Sequence, residues 1–391
     1  MINNGYMQKI IESDDRGVPM REFEYFLFEN FDADEESNNR NNPRNFLGKR
    51  TDIVLSEVAQ LAVNTCSYNE SCEKYSTQLI RKLIDGGVLR PSGIALAFDC
   101  PIFLREDAAV LHTVIASKAA VLVDLLQSGM AEIRDCCSKI ENGFPVELNL
   151  YHILCGMIFD GYFFDYLSGM GAVATSRQHP SGLDYLSVIY EKCEELQTLS
   201  DGLLCSYNRF VNAKCSLQSF GDAQGNRFDF YRFFRLMEQG SLPDKFKDAE
   251  ALVLDFGGAN KDSLLDEVVA LMQTGRCDPV AMDLLELFGY TQDGAICVPV
   301  YTPEHKKYIA EIESIVEKCL GNAMAETLIE LTGSIDITAV KHGVNHKEIA
   351  NELYHIVFGS INEELVARGV VATPPNIPGE GRCFMCVEMY V

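Results

Sequence analysis

The sequence is poor in basic residues: 33 Lys and Arg stand against 57 Asp and Glu, which gives a formal net charge of −24. A field that negative repels phosphate backbones and anionic lipids at long range. It excludes a protein that coats nucleic acid along its whole length, but a local basic patch is still compatible with it. With 47% hydrophobic residues, the 391-residue chain has enough apolar material for the cores of two or three domains.

The sequence also lacks the features of targeting and membrane segments. Its start has no apolar core of the kind found in signal peptides. The longest apolar runs, 114–126 and 153–164, are interrupted by charged residues and are too short to span a bilayer. The 14 cysteines are scattered, which is typical of reduced thiols in a cytosolic protein. We therefore expect a cytoplasmic protein without a membrane partner.

Recognisable catalytic and metal-binding motifs are missing as well. We find no phosphate-binding glycine loop, nucleophile elbow or kinase catalytic loop. Cys383 and Cys386 form a single C-x-x-C, and their flanks predict a strand in which the two thiols face opposite sides. His342 and His346 are spaced like ligands on a helix, but Asn345 between them is typical of a helix cap. The sequence predicts no metal, no cofactor and no catalytic residue, and it favours a protein that is not an enzyme.

Composition and periodicity divide the chain into four predicted segments. Residues 1–45 form a polar N-terminal segment, and 46–145 hold a first module followed by a long helix. Residues 146–250 form an aromatic-rich middle region that we expect to be mainly helical. Residues 251–391 contain a second module with a C-terminal helix and a last hairpin. The predicted fold class is mainly α with small β-hairpins, an α+β protein.

A supersecondary pattern of helix, turn, helix and hairpin occurs twice. In the first copy a helix capped by Thr51 precedes a second helix from Lys74 to Asp85, and a hairpin is predicted within 88–103. In the second copy Asp278 is the expected cap of a helix that precedes a hairpin within 290–301. The order therefore predicts an internal repeat.

The two hairpins end in related sequences. The first ends P-I-F-L-R-E-D at 101–107, and the second ends P-V-Y-T-P-E-H at 299–305. Each ending combines a proline, an aliphatic residue, an aromatic residue and a glutamate that starts a helix, where the helix dipole favours an acid. The hairpins differ in length, so the similarity is that of an old duplication or a chance match.

The order of helices and hairpin resembles the winged helix-turn-helix superfamily, the module of many transcription regulators. The resemblance covers residues 51–103 and 262–301. It implies that the helix before the hairpin enters the major groove of DNA and that the hairpin tip touches the backbone. Carried over to this chain, the DNA-binding residues are Lys74, Gln78, Arg81, Lys82 and Arg90. The alternative is a solvated amphipathic helix that carries its basic residues outside.

The second copy departs from this pattern in its charge. Its helix before the hairpin offers Asp278, Asp283 and Glu286 and no basic residue. Carboxylates facing phosphates are repulsive. We therefore expect the acidic second module to bind a protein partner or to form a homodimer.

The middle region supplies the densest polar cluster. A site for a small anionic ligand is predicted from arginines interleaved with carboxylates and aromatic rings. Its residues are Asn208, Arg209, Asp222, Arg227, Asp229 and Arg232. The alternative interpretation is a structural Arg–Asp network.

The sequence thus predicts a cytosolic regulatory or interaction protein, a winged-helix transcription regulator that contacts DNA through its first module. The rival hypothesis is an enzyme or small-molecule sensor whose site lies in the middle region.

Overall fold

The computed structural model describes residues 20–29, 42–203, 205–222, 229–238, 242–255 and 261–391. The fold class is a mainly helical α+β one, as predicted. Most of the predicted N-terminal segment, and Arg227 of the predicted ligand site, lie outside these residues.

The helices of the described residues carry most of the structure. In chain order they are α1 (Lys49–Gln60), α2 (Tyr68–Tyr75), α3 (Thr77–Asp85), α4 (Arg105–Gln127), α5 (Met130–Ser138), α6 (Val146–Leu150), α7 (Phe163–Gly169), α8 (Glu194–Leu203), α9 (Phe230–Glu238), α10 (Lys247–Asp255), α11 (Lys261–Thr274), α12 (Pro279–Leu287), α13 (Lys306–Ser334), α14 (Thr338–Lys341) and α15 (His346–Ala367). A π-helix, Tyr151–Tyr162, joins α6 to α7.

The strands are short. In chain order they are β1 (Phe23–Glu29), β2 (Leu89–Ser92), β3 (Ala95–Phe98), β4 (Ile102–Phe103), β5 (Tyr185–Glu191), β6 (Cys205–Val211), β7 (Cys215–Asp222), β8 (Thr291–Gln292), β9 (Ala295–Ile296), β10 (Val300–Tyr301) and β11 (Cys383–Met389).

The chain divides into two compact units, and neither is a continuous piece of sequence. Unit 1 takes its residues from Met1–Lys118, Tyr166–Gly202 and Asn322–Val357. Unit 2 takes its residues from Ala119–Asp165, Leu203–Gly321 and Phe358–Val391. The four consecutive segments predicted from the sequence therefore do not follow this division, because each unit combines three separate stretches.

Unit 1 contains a three-stranded sheet in the order β1-β5-β4. β1 is antiparallel to β5, and β4 is parallel to it. The run of Phe and Tyr side chains in β1 suits a strand with a buried face. The backbone N–H of Ile189 in β5 donates to the carbonyl of Pro101 at 2.9 Å, which ties the segment after the first hairpin to the sheet.

The first module of unit 1 consists of α1, α2, α3 and the antiparallel hairpin β2–β3, so the hairpin predicted after the second helix is confirmed. The predicted cap is wrong. Gly48 precedes α1, and the Thr51 hydroxyl lies inside the first turn, where it donates to the Gly48 carbonyl at 2.7 Å. Because the helix begins three residues earlier than expected, Lys49 and Arg50 belong to its first turn.

Unit 2 contains a four-stranded sheet in the order β10-β11-β7-β6. The middle region, expected to be mainly helical, contains more helix than strand, and it also supplies β6 and β7 of this sheet. One prediction fails here. The last hairpin was expected near 378–381, but β11 pairs with β7 and β10 instead, over a long sequence distance. Cys383 and Cys386 do lie in a strand, as predicted.

The π-helix packs closely on β7 of the same unit. A side chain at Gly156 would place its Cβ 2.8 Å from the Phe220 ring, so glycine is required for this approach. Tyr151, His152 and Phe159 on the π-helix are buried. π-Helices are rare and are often found where a side chain must be placed at an unusual position.

Aromatic side chains form the core under the second module. The Phe230 ring of α9 stacks on Phe288 with 4.0 Å between centroids, and Phe210 of β6 stacks on Phe234 at 4.7 Å. The aromatic residues of the middle region are therefore mostly core residues of unit 2.

The second module contains α10, α11, α12 and the antiparallel hairpin β8–β9. The helices α11 and α12 and the hairpin that follows them were predicted, whereas α10 was not. The Asp278 carboxylate caps α12 by accepting the backbone N–H groups of Val280 and Ala281 at 2.8 and 3.3 Å, which confirms the predicted cap. The Val387 N–H in β11 donates to the Pro299 carbonyl at 2.9 Å, the counterpart of the Ile189 bond to Pro101.

The long helix predicted from residue 106 to 139 is broken. It forms α4 and α5, and Gly129 precedes the first residue of α5. In the described part of the chain, α4 is long and apolar enough to cross a membrane, with a mean hydropathy of 1.8 in a window of which 33% is buried. One such helix is weak evidence, because core helices of soluble proteins pass the same test, and the expected absence of a membrane partner stays a prediction.

Candidate functional site

The first candidate surface lies on α3, the helix that precedes the first hairpin. The sequence predicts one helix from Lys74 to Asp85, and the structure has two. Ser76 adopts a φ of 84°, which no residue inside an α-helix can take, and it separates α2 from α3. Lys74 therefore belongs to the last turn of α2.

Three of the predicted DNA-binding side chains are exposed on α3. Ile80 and Leu83 point into the core and are fully buried. Gln78, Arg81 and Lys82 lie on the opposite, exposed side. Among the described residues, none of these three side chains has a hydrogen bond or an ion pair. The helix thus presents a polar, basic face whose donors are free.

The other two predicted contacts have partners inside unit 1. The Lys74 ammonium lies 2.8 Å from the Glu57 carboxylate. Arg90 donates from Nη2 to the backbone carbonyl of His342 at 2.6 Å, and its Nε lies 3.4 Å from Asp99. A phosphate would have to compete with these groups, so neither residue is a free DNA contact.

A groove beside α3 adds a basic residue that was not predicted. Its volume is about 450 Å³, and it is lined by Arg50, Ile53, Lys74, Tyr75, Ser76, Gln78, Leu79 and Lys82. Arg50 is exposed and has no partner in the part of the chain that the structure describes. The sequence does contain the signal, the pair Lys49-Arg50, but placing the helix start at Thr51 left both residues in a loop.

The equivalent helix of the second module carries no basic side chain. Asp283 and Glu286 are exposed on α12. Asp278 is engaged as the helix cap, so two of the three predicted carboxylates are available on this surface.

Three of the predicted ligand-binding residues meet in unit 2. The Asn208 amide donates to the Asp229 carboxylate at 2.8 Å. The same carboxylate accepts the backbone N–H of Arg232 at 2.8 Å, and the Arg232 guanidinium donates to the Ser206 hydroxyl at 3.2 Å. Asp229 therefore already occupies two donors, the Asn208 amide and the Arg232 backbone N–H, that a bound anion could use.

The other described members of that set lie elsewhere in the unit. The period of two along β6 sends Arg209 to the face opposite Asn208, where it donates to the Tyr390 hydroxyl at 2.8 Å. Asp222 forms an ion pair with Arg382 at 2.7 Å. The described members of the predicted set therefore lie at three places in unit 2, and the ligand site stays a prediction.

A buried Cys–His pair in unit 2 was missed by the sequence reasoning. The Cys386 thiol lies 3.1 Å from His152 Nε2, and Gln218 Oε1 lies 3.2 Å from the same nitrogen. Burial lowers the pKa of His152 to about 4 and raises that of the Cys386 thiol. Both groups are therefore neutral at pH 7, and the thiol, which donates to Gln218 Oε1 at 3.5 Å, is not a reactive thiolate.

Unit 1 contains two buried acids on α15. Burial, followed by the charge of Asp99, raises the pKa of Glu348 to about 8, and burial raises that of Glu352 to about 7. The Tyr190 hydroxyl donates to Glu352, and His179 lies 3.7 Å from Glu348. His179 lies in a connecting segment, yet its side chain is only 6% exposed, which places it in the core and not in solvent.

Among the described residues, no group of three or more His, Cys, Asp and Glu side chains is placed to hold a metal ion. His342 is buried, where its Nδ1 accepts the backbone N–H of Phe98 at 3.4 Å, so it has a structural contact of its own. No family model matches the chain, and no curated protein or solved structure is significantly similar to it.

Proposed function

We propose that this chain is a regulatory protein, a transcription regulator that contacts DNA through the first module. The free basic face of α3, formed by Gln78, Arg81 and Lys82, is the observation that carries the proposal. Free donors matter because a side chain that already has a carboxylate partner gains little from a phosphate.

The arrangement around α3 supports a winged-helix interpretation. The hairpin is tied to the segment before α2, since Leu96 N–H donates to the Cys66 carbonyl at 2.7 Å and Tyr68 N–H to the Ile94 carbonyl at 2.9 Å. Val88 N–H donates to Leu83 at the end of α3 at 2.9 Å. These bonds fix the hairpin beside the helix, as a rigid reading element requires.

The four free side chains divide by chemistry. Arg81 and Gln78 have the donor geometry to reach base edges. Lys82 and Arg50, which line the groove, are suited to phosphates, which position a protein on the duplex without selecting a sequence. Arg50 thus replaces Lys74 and Arg90 in the proposed contact set.

The local charge makes the interaction weak. Residues 45–105 hold seven basic and six acidic side chains, a net charge of +1 within a chain of −24. With two or three phosphate contacts per module, the logarithm of the binding constant should fall by about 2–3 per tenfold rise in salt.

The test is a fluorescence-anisotropy titration of the full chain against a pool of genomic duplex fragments at about 50 mM salt, where such contacts are strongest. Lys82→Ala should weaken binding to all fragments alike, whereas Arg81→Ala should cost about 1–3 kcal/mol on selected sequences only. Arg276→Ala, which removes an exposed basic residue from the second module, is the matched control. Absence of binding at that salt would contradict the proposal.

For the second module we propose a protein partner or a second copy of the chain. Asp283 and Glu286 are exposed beside Leu287, which is 37% exposed. A dimer would double the DNA contacts and offset the repulsion of the acidic chain. Sedimentation velocity of the chain and of Leu287→Glu tests this, since a monomer at all concentrations in both would rule out the dimer.

A further inference from the structure

A second groove, in unit 2, carries charges of both signs. Its volume is about 410 Å³, within the range of small-molecule sites. The π-helix, α7, β6, α13 and β11 all contribute to its wall. The residues that matter for its chemistry are Arg209, Lys306, Glu313, Glu388 and the rings of Tyr162 and Tyr207.

One end of the groove is basic. Arg209 and Lys306 both approach Tyr390: the Arg209 guanidinium donates to its hydroxyl, and the Lys306 ammonium lies 4.5 Å from the centre of its ring. In the described residues Lys306 has no carboxylate partner. An ammonium held over a neutral ring keeps its charge available for an anion.

The other end is acidic. Glu313 lies on the same face of α13 as Lys306, seven residues further along, which places their backbones about 10 Å apart. Glu313 is half-buried and has no hydrogen-bond donor among the described residues. Burial, with the charge of Glu388 next to it, raises the pKa of Glu313. A carboxylate in such surroundings is stabilised by a cation.

Glu388 lies between the two ends, and hydrogen bonds from the buried side of the groove hold its carboxylate in place. Its carboxylate accepts from the Gln218 amide at 2.5 Å and lies 4.0 Å from Arg209. Gln218 in turn contacts the Tyr207 hydroxyl at 2.8 Å. Buried hydrogen bonds therefore hold the floor of the groove, as a preformed site requires.

We propose that this groove binds a small zwitterion, an ω-amino acid or a similar molecule, with its ammonium at Glu313 and its carboxylate at Lys306. The Lys306 and Glu313 backbones lie about 10 Å apart, and this distance sets the scale of the charge separation in the bound molecule. The Tyr162 and Tyr207 rings cover its methylene chain. The proposal is independent of DNA binding by the first module.

The experiment is isothermal titration of the full chain with three probes of one length: ε-aminocaproate, which carries both charges, hexylamine, which carries only the ammonium, and caproate, which carries only the carboxylate. We expect ε-aminocaproate to bind at least about tenfold more tightly than either single-charge probe. Lys306→Met and Glu313→Gln should each weaken its binding about tenfold or more.

Two controls separate binding from folding. Lys307→Met and Glu304→Gln change the same residue types on exposed positions near the start of α13 and should leave the affinity within about twofold. Glu313→Gln should raise the melting temperature without ligand, since it removes a poorly solvated charge. Three results would overturn the proposal: equal affinity for the three probes, full binding of ε-aminocaproate by Glu313→Gln, or no binding up to about 10 mM of either ε-aminocaproate or its shorter analogue γ-aminobutyrate.

Discussion

The two modules share a backbone framework and differ in charge. In the first, Val88 N–H donates to Leu83 and Asp99 N–H to Val88, at 2.9 and 3.0 Å. In the second, Tyr290 N–H donates to Leu285 and Cys297 N–H to Tyr290, at 2.8 and 3.0 Å.

Over 61 residues each, 45–105 carry a net charge of +1, whereas 244–304 hold four basic and twelve acidic side chains, a net charge of −8. Matching hydrogen bonds therefore do not imply matching partners. Function has to be derived from the surface of each module, because the fold leaves it open.

Reversing the surface charge should have the largest effect. Arg81→Glu combined with Lys82→Glu should reduce DNA binding by about a hundredfold or more, because it removes two contacts and adds two repulsive ones. Asp283→Lys combined with Glu286→Lys changes the charge of the second module by four units in the opposite direction and should strengthen binding slightly or leave it unchanged. Anisotropy titrations measure both, and a gain in the second variant as large as the loss in the first would show that only net charge matters.

The second-largest effect should be on the pH dependence of stability, which is expected to differ between the two units. Glu348 and Glu352 have pKa values raised to about 8 and 7, so unit 1 gains stability from them below about pH 4.5 and loses it as the pH rises through these values. His152 has a pKa lowered to about 4, so unit 2 keeps its contribution above about pH 6.5 and loses it as the pH falls toward 4.

Hydrogen exchange of the amides in β5 and β7 at a series of pH values reports on each unit. We expect unit 1 to lose about 1–3 kcal/mol of stability as the pH rises through these pKa values. Glu348→Gln should make this loss smaller. An unchanged pH profile in this variant would contradict the assignment.

Replacing the glycine that follows each of the two equivalent helices should lower the stability of the protein in both cases, but by different amounts. Gly87 and Gly289 have φ values of 67° and 76°, where a side chain costs about 1–2 kcal/mol. An added Cβ would lie 2.8 Å from Leu183 at the first and 3.1 Å from the flexible end of Met385 at the second. Thermal denaturation should therefore show a larger loss for Gly87→Ala than for Gly289→Ala, and the reverse order would argue against this packing.

Substitutions at the two helix caps should have the smallest effects on stability, and these effects should be opposite in sign. Asp278→Gly removes two hydrogen bonds and should lower stability by a few tenths to about 1 kcal/mol. Ser76→Gly removes one long bond of 3.4 Å but relieves a φ of 84°, so it should raise stability by about 0.5–1 kcal/mol. Chemical denaturation of both variants checks this, and a loss in Ser76→Gly would mean that the cap outweighs the strain.

Local features of this fold could be predicted from the sequence. The caps at Asp278 and Asn345 and both hairpins are encoded within a few residues, so side-chain chemistry and turn residues were sufficient to find them. Where a local signal was ambiguous, prediction failed by a small shift: Thr51 was taken as a cap, and Ser76 was not recognised as a break.

Long-range features could not be predicted. β11 was predicted as a strand, but it pairs with β7 across more than 160 residues, and its local pattern does not specify a partner so far away. The pair of His152 and Cys386 joins residues 234 apart, and the C-x-x-C that contains Cys386 gives no indication of a histidine partner. Arg209 was identified as a site residue from its charge. It faces away from Asn208 because β6 is a strand, and the sequence analysis did not predict that strand.

The discontinuous make-up of the two units has a consequence for how the chain is synthesised. Unit 1 includes Asn322–Val357 and unit 2 includes Phe358–Val391, so neither is complete until most of the chain has left the ribosome. Many domains fold one after another during translation, but here unit 1 includes helix residues that are made some 250 positions after its first module. A chain cut short before Asn322 would therefore lack part of both units.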